Sequence, residues 1–467
     1  MSFPRYPEYR DSGVEWLGEV PTHWIVDRLK ASIISSKNGI WGDESKGDEN
    51  DIPCVRVADF DRQKLRVELK EPTIRNVTSR EREGRTLNKG DLLLEKSGGG
   101  ENQPVGCVVL YDDERPAVCS NFVARVQLAP GMVSSYWRYV HAAAYAVRLT
   151  TGSINQTSGI QNLDQDRYYN ERAAFPPPEE QTAIAAFLDR ETAKIDALVA
   201  EQEKLISLLQ EKRQAVISHA VTKGLDPNVT MKDSGVEWLG EVPGHWVVGG
   251  LTRFIGPVVD YRGRTPTKVD EGIFLVTARN IRDGRIDYEA SEEFVDPDSA
   301  ASLLARGKPE IDDLLFTMEA PFGQVALIDR TDIALAQRVV KFRGVPTLMR
   351  NSYLLYWLMS TGCQSRLETL ATGSTALGIK ASKLGMIECL APPLDEQDSI
   401  VALIKHETAK LDTLKTQAQS AITLLQERRT ALISAAVTGQ IDVRGLPGGA
   451  NAPDSIAVTA YPESAGG

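Results

Sequence analysis

The chain contains two segments that each occur twice, in the same order. Residues 11–24 read DSGVEWLGEVPTHW and residues 233–246 read DSGVEWLGEVPGHW, so 13 of 14 positions are identical at an offset of 222 residues. Residues 176–226 match residues 392–442 at an offset of 216 residues, while the blocks between the repeats share little sequence. One unit is therefore expected to fold twice, with a constant scaffold and a variable insert.

This repeat divides the chain into five parts, and the copies at 11–24 and 233–246 are called the opening motifs. We expect a first block with its opening motif at residues 1–178, a helical spacer at 179–226, a second block with its opening motif at 227–392 and a second spacer at 393–442. Residues 443–467 are rich in Gly, Pro and Ala, a composition typical of disordered tails.

Both blocks have the pattern of irregular α+β structure. Short apolar runs separated by Gly- and Asp-containing turns predict strands, and longer stretches with helical spacing predict helices. The predicted strands are 51–57, 91–94, 105–110, 122–128, 272–277, 313–317, 324–327 and 338–342. The predicted helices are 133–149 and 352–370.

Each spacer is expected to contain a long helix. In the first spacer a short helix at 179–188 is expected to precede a longer one at about 189–222, roughly 30 residues or 45 Å long. Apolar positions at steps of three and four indicate a coiled coil between the spacers. The residues assigned to the spacer and to subunit interfaces are Gln181, Ile195, Leu198, Leu205, Leu209, Gln397, Leu411, Leu414 and Leu425.

Catalytic and metal-binding patterns are missing from the sequence. It has no G-x-x-x-x-G-K-[ST] phosphate loop, no G-x-S-x-G nucleophile elbow and no H-E-x-x-H, and the opening-motif histidines His23 and His245 are expected to be structural. Five scattered cysteines lack C-x-x-C spacing and are expected to be small core residues in a reducing compartment. No signal peptide or apolar run of membrane-spanning length is visible. We therefore expect a cytoplasmic, non-catalytic chain with no metal or cofactor of its own.

The charge argues with modest weight against nucleic acid as a ligand. The chain carries 53 Lys and Arg against 64 Asp and Glu, for a net charge of −11. The blocks themselves are near neutral, with 21 basic and 21 acidic residues at 25–176 and 17 and 18 at 247–391. Most of the acidity therefore lies outside them, and a neutral block can still present a basic face.

Polar side chains that can contact base edges and phosphates gather in turns of both blocks. Arginine pairs bidentately with guanine, and asparagine or glutamine with adenine. The candidate DNA-binding residues are Lys37, Asn38, Trp41, Lys96, Asn102, Gln103, Asn155, Gln156, Tyr261, Arg262, Arg264, Thr265, Lys268, Arg279, Asn280, Gln337, Arg338, Ser374 and Lys380.

The sequence closely resembles the specificity subunit of type I restriction-modification enzymes. The resemblance is carried by the opening motifs, by PPPEEQTAIAAFLDRETAKIDAL at 176–198 and PPLDEQDSIVALIKHETAKLDTL at 392–414, and by YRGRTP at 261–266 followed by VTARNIRDG at 276–284. Together these span almost the whole chain up to about residue 443. The first block departs from the pattern, because KNGIWG at 37–42 stands where YRGRTP would be.

The resemblance implies two target recognition domains separated by two conserved helices, packed as an antiparallel coiled coil with pseudo-two-fold symmetry. Each domain would read one half of an asymmetric bipartite sequence in double-stranded DNA, and the helices would set the gap between the halves. Two methyltransferase subunits, carrying S-adenosylmethionine, would be positioned on this chain. Restriction subunits, using ATP and Mg²⁺, would join them. No membrane is involved.

Two other interpretations remain open on the sequence alone. A coiled-coil scaffold with two protein-binding domains and no DNA is favoured by the acidic charge and disfavoured by the near-neutral blocks. An enzyme, such as a nuclease or a methyltransferase, is disfavoured by the missing motifs.

Overall fold

The computed structural model divides the chain into two compact units. Unit 1 comprises Met1–Glu201 and Ala421–Gly467, and unit 2 comprises Gln202–Ser420. The residues that the structure describes are 3–157, 159–261, 266–336, 338–373 and 377–446. Within those ranges no helix combines the length and the apolar character that a membrane crossing requires. Each unit thus holds one block and part of each long helix.

Eight α-helices occur in the described residues, and two of them are long. The helices are α1 Ser79–Arg82, α2 Ser134–Ala146, α3 Gln165–Tyr169, α4 Pro178–Lys223, α5 Pro297–Leu304, α6 Asn351–Met359, α7 Thr361–Leu370 and α8 Leu394–Val437. Helices α4 and α8 contain 46 and 44 residues. At about 1.5 Å per residue they measure about 69 and 66 Å.

Two predicted helices differ from the observed ones. The expected break near residue 188 is absent and α4 is continuous, because no Gly or Pro interrupts the segment after Pro178, which suits the first helical turn. The 45 Å length was therefore too short. The single helix predicted at 352–370 is two helices, since Ser360 is extended and its hydroxyl accepts a hydrogen bond from the amide of Cys363 at 3.4 Å.

In unit 1 the block is built on a six-stranded and a four-stranded sheet. The six-stranded sheet has the order Ile33–Asn38, Val123–Leu128, Leu92–Glu95, Val108–Leu110, Arg66–Val67 and Phe60–Asp61. The four-stranded sheet has the order Val118–Cys119, Asp51–Val55, Thr73–Asn76 and Asp43–Glu44. Smaller sheets are formed by Ser97–Gly98 with Ile160–Leu163 and Ile154–Thr157, by Tyr9–Asp11 with Glu19–Pro21, and by Arg172–Phe175 with Ile25–Arg28.

Unit 2 repeats this architecture with two four-stranded sheets. The first has the order Val259–Asp260, Val339–Phe342, Leu314–Thr317 and Val325–Leu327. The second has the order Lys268–Val269, Phe294–Val295, Ile273–Val276 and Ile333–Leu335. Two-stranded sheets join Met231–Asp233 with Glu241–Pro243, Val247–Gly250 with Glu388–Ala391, and Ile281–Arg282 with Arg285–Ile286. The eight predicted strands are all present, and the mixed α+β class is confirmed.

The five cysteines are all buried and unbridged, as small core residues should be. Burial raises the pKa of the Cys54 thiol to about 11 and that of Cys107 to about 12, so both are protonated near neutral pH.

In unit 1 the opening motif is fastened to the start of α4 through one carboxylate. The buried Glu180 accepts hydrogen bonds from the Tyr6 hydroxyl at 2.9 Å and the Trp24 indole at 3.0 Å. Its other oxygen lies 2.7 Å from Nε2 of His23. A carboxylate in the first turn of a helix also faces the positive end of the helix dipole. These contacts explain why the aromatic residues of the opening motif recur with the helix.

Unit 2 contains the same junction. Glu396, which is the repeat equivalent of Glu180, accepts from the Trp246 indole at 3.0 Å and lies 2.7 Å from Nε2 of His245. The neighbouring glutamine also repeats its bonds: Gln181 accepts from the amide of Val133 at 2.9 Å, and Gln397 accepts from the amide of Arg350 at 2.7 Å. Gln181 and Gln397 therefore connect each long helix to its block, rather than connecting one long helix to the other.

The two long helices pack antiparallel within each unit. In unit 1, Asp196 of α4 pairs with Arg429 of α8 at 3.2 Å, while Trp24, beside the start of α4, lies next to Gly439 just after α8. Gly439 has φ of +78° and a Cβ there would lie 2.3 Å from Pro21, so only glycine fits. In unit 2, Asp412 pairs with Arg213 at 3.4 Å.

The buried stripe of the helices differs in part from the predicted one. Ile195 and Leu209 are buried as expected, and so is Leu411, while Leu425 is half-buried. Leu198, Leu205 and Leu414 are 50%, 40% and 47% exposed, so their assignment to the helix interface was wrong. Ala418 is buried as the a/d pattern of the second helix predicts, and Val199, Ile206 and Ile422 also belong to the stripe. Residues at i+3 and i+4 both lie near the face of residue i, and leucines stand on both sides of this seam.

Candidate functional site

A row of three polar side chains crosses the small three-stranded sheet of unit 1. Ser97 pairs with Asn162 across one strand boundary, and Asn162 pairs with Asn155 across the next. Residues directly opposite in antiparallel strands share a face. The Ser97 hydroxyl donates to Oδ1 of Asn162 at 2.7 Å, which orients that amide. We call Ser97, Asn162 and Asn155 the amide row.

The amide row is open to solvent. Asn155 and Asn162 are exposed, and Ile160, two residues before Asn162 on the same face, is 50% exposed. Within the described residues the Asn155 side chain makes no hydrogen bond or ion pair. Gln156 points to the opposite face and is also exposed, whereas its strand partner Gln161 is buried and accepts from the amide of Val105 at 3.2 Å.

Phe122 and Lys96 lie beside the amide row. The carbonyl of Phe122 accepts from the amides of Lys96 at 2.9 Å and Ser97 at 3.2 Å. The Phe122 ring is 45% exposed, and Lys96 is half-buried. An apolar ring and a cation thus stand next to exposed amides.

The other candidates of the first block lie on exposed edges. Lys37 and Asn38 end the strand that pairs with Val123–Leu128, and the side chain of Asn38 accepts from Gln165 at 3.2 Å. Asn38 and Gln165 line an open polar cleft of about 470 Å³. The Arg75 guanidinium lies 4.6 Å from the Trp41 ring centre and holds that loop. Asn102 and Gln103 are exposed in a glycine-containing loop.

Unit 2 has a corresponding row at the same place in the fold. Bridges join Glu319 to Gly378 and Gly378 to Thr372. The match is fixed by the backbone: the amide of Met318 donates to the carbonyl of Arg338 at 2.8 Å, as that of Lys96 does to Phe122. Glu319 therefore stands where Ser97 does, and Arg338 where Phe122 does.

Arg338 has a strained backbone beside a small cleft. Its φ is +76°, which is uncommon for a residue other than glycine, and its guanidinium pairs with Glu319 at 3.0 Å. The cleft measures about 270 Å³ and is also lined by Arg279 and by Lys268, which pairs with Glu293 at 2.8 Å. Arg279 is exposed and, in the described part of the chain, forms no ion pair.

Tyr261 and Asn280 are buried, so the assignment of both as DNA contacts is corrected. Tyr261 is 1% exposed and its hydroxyl donates to the carbonyl of Gly307 at 2.6 Å. Asn280 is fully buried, accepts from the amide of Thr277 at 2.9 Å and donates to the carbonyls of Asp287 and Ser291. Polar groups that satisfy one another inside the block hold the neighbouring Arg279 in place.

One further candidate of unit 2 lies on the surface. Lys380 is exposed and precedes the short 3₁₀ helix Ala381–Met386. The candidates that lie outside the described residues are Arg262, Arg264, Thr265, Gln337 and Ser374.

Sequence reasoning missed Ser97, Asn162, Phe122 and Glu319. A signal for Asn162 was available, because a Ser-Gly dipeptide, which is typical of turns, separates INQT at 154–157 from IQNL at 160–163. The pairing of Ser97 with that hairpin is a tertiary contact without a local signal.

Exposed leucines recur at equivalent positions of the long helices. In unit 1, Leu198 and Leu424 are 50% and 64% exposed. Their repeat equivalents in unit 2, Leu414 and Leu208, are 47% and 50% exposed. The exposure of leucine at these places is thus repeated in both units. We call these four residues the leucine pairs.

Comparisons with known proteins agree on one family. Residues 307–424 match the family model for the type I restriction modification DNA specificity domain. A protein of Methanocaldococcus jannaschii, named provisionally as the MjaX type I restriction enzyme specificity subunit, is 21% identical over 446 residues, which is 92% of this chain and 96% of that protein. The type I restriction enzyme EcoBI specificity subunit of Escherichia coli is 21% identical over 402 residues, 84% of this chain and 80% of that protein.

A solved structure supports the fold. A chain from a structural study of complex assembly and conformational transition of the type I R-M system superposes with a TM-score of 0.67 at 15% identity, over 90% of this chain and 99% of that chain. The family model and the two sequence relatives confirm the predicted resemblance to specificity subunits.

Proposed function

We propose that this chain is the DNA-recognition subunit of a type I restriction-modification system and reads a bipartite, asymmetric DNA sequence. The observation that carries the proposal is the duplicated scaffold under two different surfaces. Glu180 and Glu396 fasten the opening motifs in the same way, yet the amide row of unit 1 and the Arg338 cleft of unit 2 carry different chemistry. Two readers of different preference on one scaffold suit a target with two unlike halves.

Two copies of a methyltransferase subunit are the proposed partners on the protein side. The leucine pairs supply one equivalent docking surface per unit, so one kind of partner can bind twice. We assign S-adenosylmethionine to those partners, and ATP and Mg²⁺ to restriction subunits that join the complex. This chain itself carries no cofactor in the proposal and acts in the cytoplasm, where the DNA lies.

Methylation mapping tests the proposal directly. DNA from cells that express this chain with its adenine methyltransferase should carry methyladenine in a motif of two defined halves and a fixed gap. Replacing residues 247–391 by the corresponding block of another family member should change one half only. Change in both halves, or in neither, would contradict two independent readers. Co-purification with the methyltransferase but no methylation would favour a protein scaffold.

A further inference from the structure

We propose that the row at the sheet edge of each unit is the base-reading element, and that the side chains there set opposite preferences in the two half-sites. Unit 1 is assigned to adenine and thymine through the amide row and Ile160. Unit 2 is assigned to guanine through Arg338. This inference rests on the proposed function and deepens it, since it names the bases that each unit selects.

The amide row has the chemistry that adenine requires. In the major groove adenine presents N7 as an acceptor and N6 as a donor, and one asparagine amide can satisfy both. Asn155 is exposed and unpaired within the described residues, and Asn162 keeps its NH₂ group available because Ser97 occupies one side of its oxygen. Ile160 on the same face offers an apolar contact for the thymine methyl group.

A two-stranded segment can carry these groups to the bases. The hairpin of Ile154–Thr157 and Ile160–Leu163 has one exposed polar face and one face turned to the block, where Gln161 and Leu163 are buried. The major groove of B-DNA admits a two-stranded β-ribbon. Neighbouring strands are about 4.8 Å apart, so Asn155 and Asn162 reach different bases at adjacent steps.

Arg338 has the chemistry that guanine requires. A planar guanidinium donates two parallel hydrogen bonds, which matches O6 and N7 of guanine. Glu319 pairs with Nε of Arg338 at 3.0 Å, and the Arg338 side chain is 51% exposed. The left-handed backbone of Arg338, with φ of +76°, is uncommon for a residue other than glycine and sets the direction in which the side chain leaves the chain.

The equivalence of the two sites strengthens the assignment. Backbone hydrogen bonds place Arg338 at the position of Phe122 and Glu319 at that of Ser97. The same place in the fold thus holds an apolar ring beside amides in unit 1, and an arginine with its carboxylate in unit 2. A surface whose backbone is constant and whose side chains differ is what readers of different bases need.

Methylation mapping with matched variants tests the inference in the full chain co-expressed with its methyltransferase. Asn155→Ala combined with Asn162→Ala should lower the discrimination for adenine in one half-site by roughly 10- to 100-fold and leave the other half unchanged. Asn170→Ala removes an exposed amide of unit 1 that lies outside the amide row, so it is the control and should change neither half. Arg338→Gly suits the positive φ and should weaken the preference for guanine in the half-site read by unit 2. The exchange of the 247–391 block identifies which half-site that is.

Failure of this inference can be told apart from failure of the proposed function. A bipartite motif from the unchanged chain that both variants leave intact would overturn the base assignment alone. The base assignment would also be overturned if the half-site read by unit 1 contained no adenine, or if the half-site read by unit 2 contained no guanine. Absence of any motif from the unchanged chain would overturn the proposed function itself. The double variant Asn155→Gln with Asn162→Gln keeps both amide groups. If this variant and the double alanine variant both lose methylation, in chains that still co-purify with the methyltransferase, the assignment to adenine would also be overturned.

Discussion

Arg429 of α8 donates from Nε to Oδ1 of Asp196 on α4 at 3.2 Å, inside unit 1. Their repeat equivalents, Arg213 and Asp412, form the same pair inside unit 2 at 3.4 Å. One ion pair of the repeated sequence is thus made twice, with donor and acceptor exchanged between the helices. Only an antiparallel arrangement allows each copy of the segment to supply both halves of the contact.

The two ion pairs should contribute unequally to stability. Arg429 and Asp196 are 13% and 22% exposed, whereas Asp412 is 57% exposed. We expect Arg429→Met, which keeps the aliphatic stem, to lower the free energy of unfolding of unit 1 by about 1–2 kcal/mol. Arg213→Met in unit 2 should cost about 0.2–1 kcal/mol. Hydrogen exchange measured peptide by peptide separates the units, and equal losses in both would contradict the ranking.

Removing the carboxylate that fastens the opening motif should also destabilise unit 1, through Glu180, more than unit 2, through Glu396. Glu180→Ala leaves the donors of Tyr6 and Trp24 buried and unpaired, each at a cost of about 1–3 kcal/mol. Glu396→Ala leaves one buried donor unpaired, the Trp246 indole, instead of two, and should cost less. The measurement is hydrogen exchange of the two opening motifs in the two variants. A larger effect of Glu396→Ala would show that the junctions are not energetically parallel.

The stability of unit 1 should fall in mild acid because of His141. Burial lowers the pKa of this imidazole from 6.5 to about 4, and its Nδ1 lies 2.7 Å from the Tyr168 hydroxyl. Between pH 6.5 and 4 the imidazole binds a proton in the unfolded chain but not in the folded unit. The contribution of neutral His141 to the free energy of unfolding is therefore complete above pH 6.5 and is lost as the pH falls to 4. The full loss is about 3 kcal/mol.

Unit 2 provides the control for this pH dependence. The hydroxyls of Tyr136 and Tyr353 donate to equivalent carbonyls, those of Val437 and Val221. In this alignment the buried Leu358 occupies the position in unit 2 that His141 occupies in unit 1. His141→Leu should therefore remove the slope between pH 6.5 and 4 in unit 1, even though it lowers the baseline by losing the bond to Tyr168. A slope that persists in the variant would assign the effect to other groups.

Much of this architecture could be predicted because the repeat carries it. Glu180 and Trp24 lie in two segments that recur together, as do Glu396 and Trp246, although 156 residues separate the pair in one copy and 150 in the other. The positions of Leu198 and Leu205 could not be settled in the same way, since leucines flank the seam on both sides and only the partner helix decides which ones it covers. Tyr261 and Asn280 show the limit for sites: a polar residue in a turn looks the same in sequence whether it faces solvent or braces a neighbouring loop.

Partner docking should depend on the leucine pairs one unit at a time. Leu198→Glu with Leu424→Glu places two charges on the exposed face of unit 1, and charged groups in an apolar interface are costly. We expect the complex to retain one methyltransferase subunit instead of two, as measured by light scattering or mass photometry. Leu414→Glu with Leu208→Glu should have the same effect from unit 2. Leu225→Glu, 41% exposed just after α4, is the control and should leave two subunits bound.

The helices should set the gap between half-sites only when both change length together. Asp196 and Arg213 are 17 positions apart in α4, as are Asp412 and Arg429 in α8. Duplicating residues 199–205 and 415–421 adds seven residues to each helix, keeps the heptad stripe in phase and preserves both ion pairs. At about 1.5 Å per residue the insertion adds about 10 Å, or about 3 base pairs at 3.4 Å each, to the gap. Duplication in α4 alone makes the spacings unequal, so one ion pair must break and methylation should fall. Methylation mapping decides: an unchanged gap with the paired duplication would contradict a ruler built from these helices.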